Sequence, residues 1–198
     1  MEKGPKGRWS MERLEERSLI RQAKQGDVDA YGRLYEMVYM DLYRFALFTL
    51  KDPHDAEDVV SDTVTDSFVG IGKLKAEEAF RGWIFKILTN KCRRMLKQRA
   101  ERPAMKEYEE AMSGREALAG GSPLSGEEGV NREDLMDLRR AFAMLPEEDR
   151  LIVALSFFGG YTSEEIAKML KRKSGTVRSR QSRALSRMRE LLTGAYGL

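Results

Sequence analysis

The stretch GYTSEEIAKMLKRKSGTVRSRQSRALSRMREL (160–191) predicts two helices joined by a short turn. Thr162 is followed three residues later by Glu165, the capping-box pattern that opens a helix. Ser174 is the expected N-cap of the longer second helix. Two helices joined by such a turn form a helix-turn-helix, whose second helix normally enters the DNA major groove. The stretch therefore predicts a helix-turn-helix fold and contact with DNA.

The long second helix divides its residues between two faces. At about 100° per residue, one face is mostly apolar and is expected to pack inward. It carries Val177, Gln181, Ala184, Leu185, Met188, Leu191 and Leu192. The opposite face carries Gly175, Thr176, Ser179, Ser182, Arg183 and Ser186, with Arg178, Arg180 and Arg187 at its flanks.

The outward face suits DNA in two ways. Small residues let the backbone approach base edges, where Arg183 is placed to bind a guanine. The flanking arginines, with Lys171, Arg172 and Lys173 of the turn, are placed for phosphates. Because the sequence has no acid between Lys171 and Arg189, we expect these arginines to be unpaired. The alternative is an ordinary basic surface exposed to solvent.

The composition excludes several classes of protein. The chain has 198 residues, 34% of them charged, but a net charge of only +3, so a nucleic-acid footprint requires local segregation of charge. The single cysteine, Cys92, excludes an internal disulfide and a cysteine zinc cluster, and it is expected to be a small core residue. His54, the only histidine, has no second histidine to form a metal or catalytic pair. We expect no cofactor, no metal and no catalytic site.

The cellular location is expected to be cytoplasmic. No apolar run approaches the length that spans a bilayer, and the start of the chain has no hydrophobic signal region.

Helical periodicity predicts an all-α protein of two small helical domains. Residues 1–17 are polar and are expected to form a flexible tail. Residues 18–100 form the first domain, and residues 101–132, rich in glycine, serine and glutamate, form a flexible linker. Residues 133–198 form the second domain, which contains the helix-turn-helix.

Charge is segregated within the first domain. Asp52–Pro53 predicts the start of an acidic helix that ends near Gly70 and Gly72. The next helix is basic: Lys86, Asn90, Arg93 and Lys97 share one side, and Ile84, Leu88, Cys92 and Met95 the other. The acidic and basic helices either face external partners or pair with each other.

Three segments together resemble bacterial sigma factors of the extracytoplasmic-function (ECF) type. They are GDVDAYGRLYEMVYMDLYRFALFTLKDPHDAEDVVSDTVTDSF (26–68), FRGWIFKILTNKCRRMLKQR (80–99) and LRRAFAMLPEEDRLIVALSFFGGYTSEEIAKMLKRKSGTVRSRQSRALSRMREL (138–191). The resemblance covers residues 18–100 and 133–193 in the family's order. It implies a sigma factor that binds core RNA polymerase and directs transcription initiation at promoters.

The resemblance also implies roles for particular residues. The set expected to bind core polymerase, at the β′ clamp helices, is Asp55, Glu57, Asp58, Val59 and Asp62. The set expected to bind the minus-10 element is Phe80, Trp83, Lys86, Asn90, Arg93, Arg94 and Lys97. The set expected to bind the minus-35 element is Lys171, Arg172, Thr176, Arg178, Ser179, Arg180, Ser182, Arg183 and Arg187. The implied partners are core RNA polymerase through its β′ and β subunits, promoter DNA and an anti-sigma factor, with no small-molecule substrate.

Two other functions compete with this interpretation. An autonomous helix-turn-helix regulator with a ligand-sensing first domain would bind DNA without polymerase. A site-specific recombinase would need a strand-rich catalytic domain, and no stretch of the sequence alternates with the period of a strand.

Overall fold

A computed structural model describes residues 6–101 and 132–195, and over these two ranges it is built from helices without strands. The four helices before the gap are α1 (Lys6–Lys24), α2 (Val28–Leu50), α3 (Pro53–Gly70) and α4 (Phe80–Glu101). The four helices after it are α5 (Arg132–Ala143), α6 (Glu147–Phe157), α7 (Ser163–Leu170) and α8 (Ser174–Ala195). Two short 3-10 turns, Ile71–Lys73 and Glu77–Ala79, connect α3 to α4. The all-α prediction is confirmed.

Helix α2 is the central element of the first group of helices. Its apolar stripe is buried against α1, α3 and α4, with Leu34, Leu42 and Phe45 fully enclosed. Asp27 caps its start by accepting a hydrogen bond from the Ala30 amide, and Lys51 ends it in the left-handed conformation with φ 68°. This packing fixes the directions in which α3 and α4 face outward.

Helix α3 begins as the sequence predicts. The Asp52 carboxylate accepts a hydrogen bond from the Asp55 amide at 2.9 Å, and Pro53 occupies the first turn, where its missing N–H costs nothing. The helix ends at Gly70, also as expected.

The prediction of a flexible tail over residues 1–17 is wrong for most of that segment. Helix α1 starts at Lys6 and runs without a break to Lys24. Its second half buries Leu19 and Ile20 on the first group of helices. Arg17 pairs with Glu78 at 2.9 Å, so contacts across the domain hold a stretch that its glycines and polar composition indicated as loose.

The second group of helices contains the helix-turn-helix. Thr162 and Glu165 form both bonds of the predicted capping box at the start of α7. The predicted inward face of α8 is correct: Val177, Ala184 and Met188 are buried. Ser174 is the first residue of α8, not the residue before it, because the Lys173 carbonyl already accepts the first helical bond from the Val177 amide.

The two groups of helices are packed against each other. The ring of Phe48 on α2 lies 4.6 Å from that of Phe142 on α5 and 5.3 Å from that of Phe158, just after α6. The Tyr161 hydroxyl donates to the Gly82 carbonyl on α4 at 2.6 Å. The core is therefore continuous between the two groups. The linker predicted for residues 101–132 falls, apart from its ends, outside the described residues, and the domain boundaries stay predictions.

Candidate protein- and DNA-binding faces

The acidic helix α3 exposes part of its charge. Glu57 and Asp58 lie on its outer surface and are exposed to solvent. Val59, expected among the polymerase-binding residues, is only 3% exposed and packs in the core, so its side chain supports the helix and is not available to a partner. The exposed acidic face of α3 therefore includes Glu57 and Asp58.

The remaining acids of α3 pair with α4. Lys91 bonds to Asp66 at 2.7 Å and approaches Asp62 at 3.7 Å. Arg99 pairs with Asp55, and it also donates to the Leu50 carbonyl at 3.2 Å. The alternative in which the acidic and basic helices pair with each other is therefore correct for Asp55 and Asp66, whereas the Asp62 side chain is 75% exposed and stays on the open acidic face.

Helix α4 presents a cationic and amide face to solvent. The predicted side is exposed, and so is one further arginine: Lys86, Asn90, Arg93, Arg94 and Lys97. The opposite side is buried, including Cys92 at 0% exposure, whose burial raises the pKa of its thiol to about 12. Cys92 is therefore a neutral core residue, as expected.

The two aromatic residues assigned to this face differ. Phe80 is 1% exposed and belongs to the core, so the expectation that it contacts DNA is wrong in this conformation. Phe80 is the first residue of α4, and its side chain turns inward onto the core. Trp83 is partly buried, packs against the core, and has its ring centroid 6.3 Å from that of Phe80.

The outward face of α8 is open along most of its length. Its exposed members are Thr176, Arg178, Ser179, Ser182, Arg183 and Arg187, and Lys171 in the preceding turn is exposed as well. Lys171 takes the left-handed conformation, with φ 54°, that reverses the chain between α7 and α8. Arg183 donates from Nε to the Ser179 carbonyl at 3.2 Å, which holds the side chain along the helix and leaves its other nitrogens outward.

Two of the arginines are not unpaired, contrary to expectation. Arg180 Nε donates to Asp149 at 2.7 Å, and the same guanidinium pairs with Glu148. The bond to Asp149, followed by the charges of both acids, raises the pKa of Arg180. Arg172 also bonds to Glu148, at 2.7 Å. The partner acids come from the start of α6, outside the run of sequence that lacks acids.

Glu148 and Asp149 are therefore residues that the sequence analysis missed. Acids in the first turn of a helix are ordinary, because they favour the helix dipole, so nothing local marks these two as partners of distant arginines. The signal that could have indicated them is the run of arginines without neighbouring acids. Acids that pair with these arginines have to come from another element.

Two kinds of feature are absent from residues 6–101 and 132–195. No group of three or more His, Cys, Asp or Glu side chains there is arranged to hold a metal ion. Within the same described residues, no helix is long and apolar enough to cross a membrane.

Comparison with known proteins identifies the family to which the chain belongs. Residues 34–102 match the family Sigma-70 region 2, and residues 135–188 match Sigma-70, region 4. The chain is 30% identical over 154 residues to the RNA polymerase sigma factor SigV of Bacillus subtilis, covering 77% of this chain and 85% of that protein. It is 29% identical over 167 residues to the ECF RNA polymerase sigma factor SigM of Mycobacterium tuberculosis, covering 84% and 79% of the two chains.

The fold agrees with these matches. The sigma factor RpoE of Bartonella quintana, solved with the anti-sigma factor NepR, superposes with a TM-score of 0.63 at 24% identity, over 84% of this chain and 98% of that one. The chain belongs to the RNA polymerase sigma factors of the ECF type. It is a sigma factor that binds core RNA polymerase and directs transcription initiation by recognising promoter elements.

Proposed function

We propose that the three exposed charged faces divide the work of the sigma factor. The outward acids of α3 dock on the β′ clamp helices, the cationic face of α4 binds the minus-10 element, and the outward face of α8 reads the minus-35 element. One observation carries this assignment: the chain presents an acidic face on α3 and cationic faces on α4 and α8, each on its own helix. Charge segregated in this way suits one protein partner and two segments of nucleic acid.

The α4 face has the chemistry that single-stranded DNA requires. Its exposed cations follow a backbone of phosphates, and the half-exposed ring of Trp83 offers a surface for stacking an unpaired base. Aromatic stacking is available to every base, so Trp83 supports strand opening, whereas Asn90 can hydrogen-bond base edges.

The α8 face has the chemistry that the major groove requires. Ser179 and Ser182 are small and exposed, so the backbone between them can come close to base edges. Arg183 follows on the same side with nitrogens free to form a bidentate contact with guanine. Arg178 and Arg187 lie where phosphates would pass.

The same proposal extends to regulation and location. Sigma factors of similar fold have been solved with anti-sigma factors, RpoE with NepR and CnrH with the cytosolic domain of CnrY. We infer that an anti-sigma factor also binds this chain. We further infer that this chain acts in the cytoplasm beside polymerase and DNA, and that it performs no catalysis of its own.

The deciding experiment is reconstituted transcription. Core polymerase is supplied with a randomised promoter library, with and without the full chain, and the transcribed templates are sequenced. We expect transcripts from a defined pair of elements only when the chain is present. Sequence-specific DNA binding without core, combined with no transcription, would instead support the autonomous regulator.

A further inference from the structure

Gly70 and Trp83 meet at the corner where α3 ends and α4 begins. Gly70 is the last residue of α3, and Trp83 lies in the first turns of α4. A Cβ built on Gly70 would lie 3.0 Å from Cζ2 and 3.5 Å from Cη2 of Trp83. The six-membered ring of the indole therefore rests directly over the bare Cα of Gly70.

The backbone does not explain the glycine at position 70. Its φ of −91° and ψ of −14° lie in the right-handed region that any residue adopts. What remains is space, because a side chain here would press on the indole.

Gly72 provides the contrast. It lies two residues further on, is exposed, and has no atom within 4 Å of the Cβ that it lacks. The two glycines look alike in the sequence GIG, but only the space at position 70 is occupied by a neighbouring ring.

We propose that Gly70 is a positioning residue for Trp83: its bare Cα sets the depth at which the indole lies at the edge of the cationic face of α4. This inference rests on the proposed role of Trp83 in contacting unpaired minus-10 bases. A methyl group at position 70 shifts the ring by a few tenths of an ångström. Trp83 is partly buried and packs against the core, with its ring near that of Phe80, so a displacement away from position 70 changes how the indole is presented to a stacked base.

The test measures strand opening by the complete holoenzyme. Gly70→Ala, the matched control Gly72→Ala, Trp83→Ala, Trp83→Phe and the double variant Gly70→Ala/Trp83→Phe are each combined with core polymerase. Permanganate reactivity of unpaired thymines is followed on a promoter selected by the wild-type protein, and on the same promoter with a mismatched, already open bubble. Thermal unfolding and core affinity are measured in parallel.

We expect Gly70→Ala to slow opening several-fold on duplex promoter and to have normal activity on the open bubble, with core affinity and unfolding temperature maintained. Gly72→Ala should open like wild type. Adding Gly70→Ala to Trp83→Phe should cost nothing further, because the smaller ring no longer meets the methyl group.

The outcomes separate this inference from the assignment beneath it. Normal opening by Gly70→Ala, together with a clear loss in Trp83→Ala, would overturn the positioning role of Gly70 and leave the role of Trp83 intact. Normal opening by Trp83→Ala would overturn the role of the ring itself. A fall in unfolding temperature in Gly70→Ala that matches the loss of opening would show that the glycine serves only folding.

Discussion

Helices α3 and α8 each carry a run of charge of one sign, yet folding divides the two runs differently. In α3, Asp55 and Asp66 pair with bases of α4, the helix proposed to bind the minus-10 element. In α8 the inner arginine pairs with acids of α6, which have no proposed contact of their own. The ion pairs of α3 thus connect two proposed binding sites, whereas the ion pairs of α8 hold the helix of one proposed site against α6.

The comparison teaches how to interpret a run of like charges. Part of such a run is used to join neighbouring helices, and the remainder is available to a partner. The exposed remainder includes Glu57, Asp58 and Asp62 on α3, and Arg178, Arg183, Arg187 and Arg189 on α8. Variants that separate paired from exposed members of each run test this division directly.

The largest effect is expected at the exposed acids of α3. Glu57→Lys/Asp58→Lys should weaken core polymerase binding on the order of 100-fold, because like charges placed opposite each other cost several kcal/mol. Asp66→Lys reverses an acid that is held by Lys91 and lies outside the predicted polymerase-binding set; it is the control and should weaken binding far less. The measurement is core affinity by fluorescence anisotropy at two salt concentrations. Equal losses in both variants would mean that pairing on α3 does not decide what polymerase meets.

The next effect is expected at Arg183. Arg183→Ala should cost roughly 1–3 kcal/mol at the preferred promoter and relax preference at one position, because a base contact carries sequence information. Arg187→Ala is the control at the flank: it should weaken all sequences alike and reduce the salt slope by about one unit. Both are compared by transcription from a library of upstream elements. Identical sequence profiles would show that this face of α8 is only a basic patch.

Local signals predicted a large part of the fold and the faces. The caps at Asp52 and Thr162 and the inward side of α8 depend on residues a few positions apart, which periodicity and capping rules describe. The same rules placed the exposed side of α4 correctly.

The rest depends on contacts between distant segments. Asp149 is 31 residues from Arg180, and Gly82 is 79 residues from Tyr161. Burial of Phe80 and Val59 likewise depends on which helices cover them, although both belong to motifs that resemble the family's binding segments. Sequence pattern gives the face of a helix, and tertiary packing decides how much of that face is left open.

A smaller effect is expected at Arg180. Because its guanidinium joins Glu148 and Asp149 on α6, Arg180→Ala should lower the free energy of unfolding by roughly 0.5–1 kcal/mol, the range of a partly exposed ion pair. In a double-mutant cycle with Asp149→Asn, most of this loss should appear as coupling energy between Arg180 and Asp149, so the double variant loses less than the sum of the two single variants. Chemical denaturation measures it. Strictly additive losses, with a salt slope reduced as in Arg187→Ala, would return Arg180 to the phosphate-binding set.

The smallest effect is expected where the two groups of helices meet. A cleft between α4 and α6 has Arg93, Arg94 and Lys97 on one wall and Glu147 and Glu148 on the other, so acids of the second group face the proposed minus-10 surface. Promoter elements roughly 25 base pairs apart are separated by about 85 Å. A compact chain of this length has a radius of gyration of only about 16 Å, so the two groups have to separate before both elements are bound.

The Tyr161 hydroxyl, bonded to the Gly82 carbonyl, is one of the contacts that resist this separation. Burial raises the pKa of Tyr161, so the hydroxyl keeps its proton at physiological pH and remains a donor. Tyr161→Phe removes the bond and keeps the ring, and should shift the equilibrium toward separated groups by about 0.5 kcal/mol, the lower end of the net contribution of one hydrogen bond. Energy transfer between dyes on α1 and α8 measures the distance between the groups. Phe157→Tyr, at an exposed ring on α6, is the control and should leave that distance unchanged. An unchanged distance in Tyr161→Phe would mean that the ring contacts, of Phe48 with Phe142 and Phe158 and of position 161 with Phe85, hold the groups together without this bond.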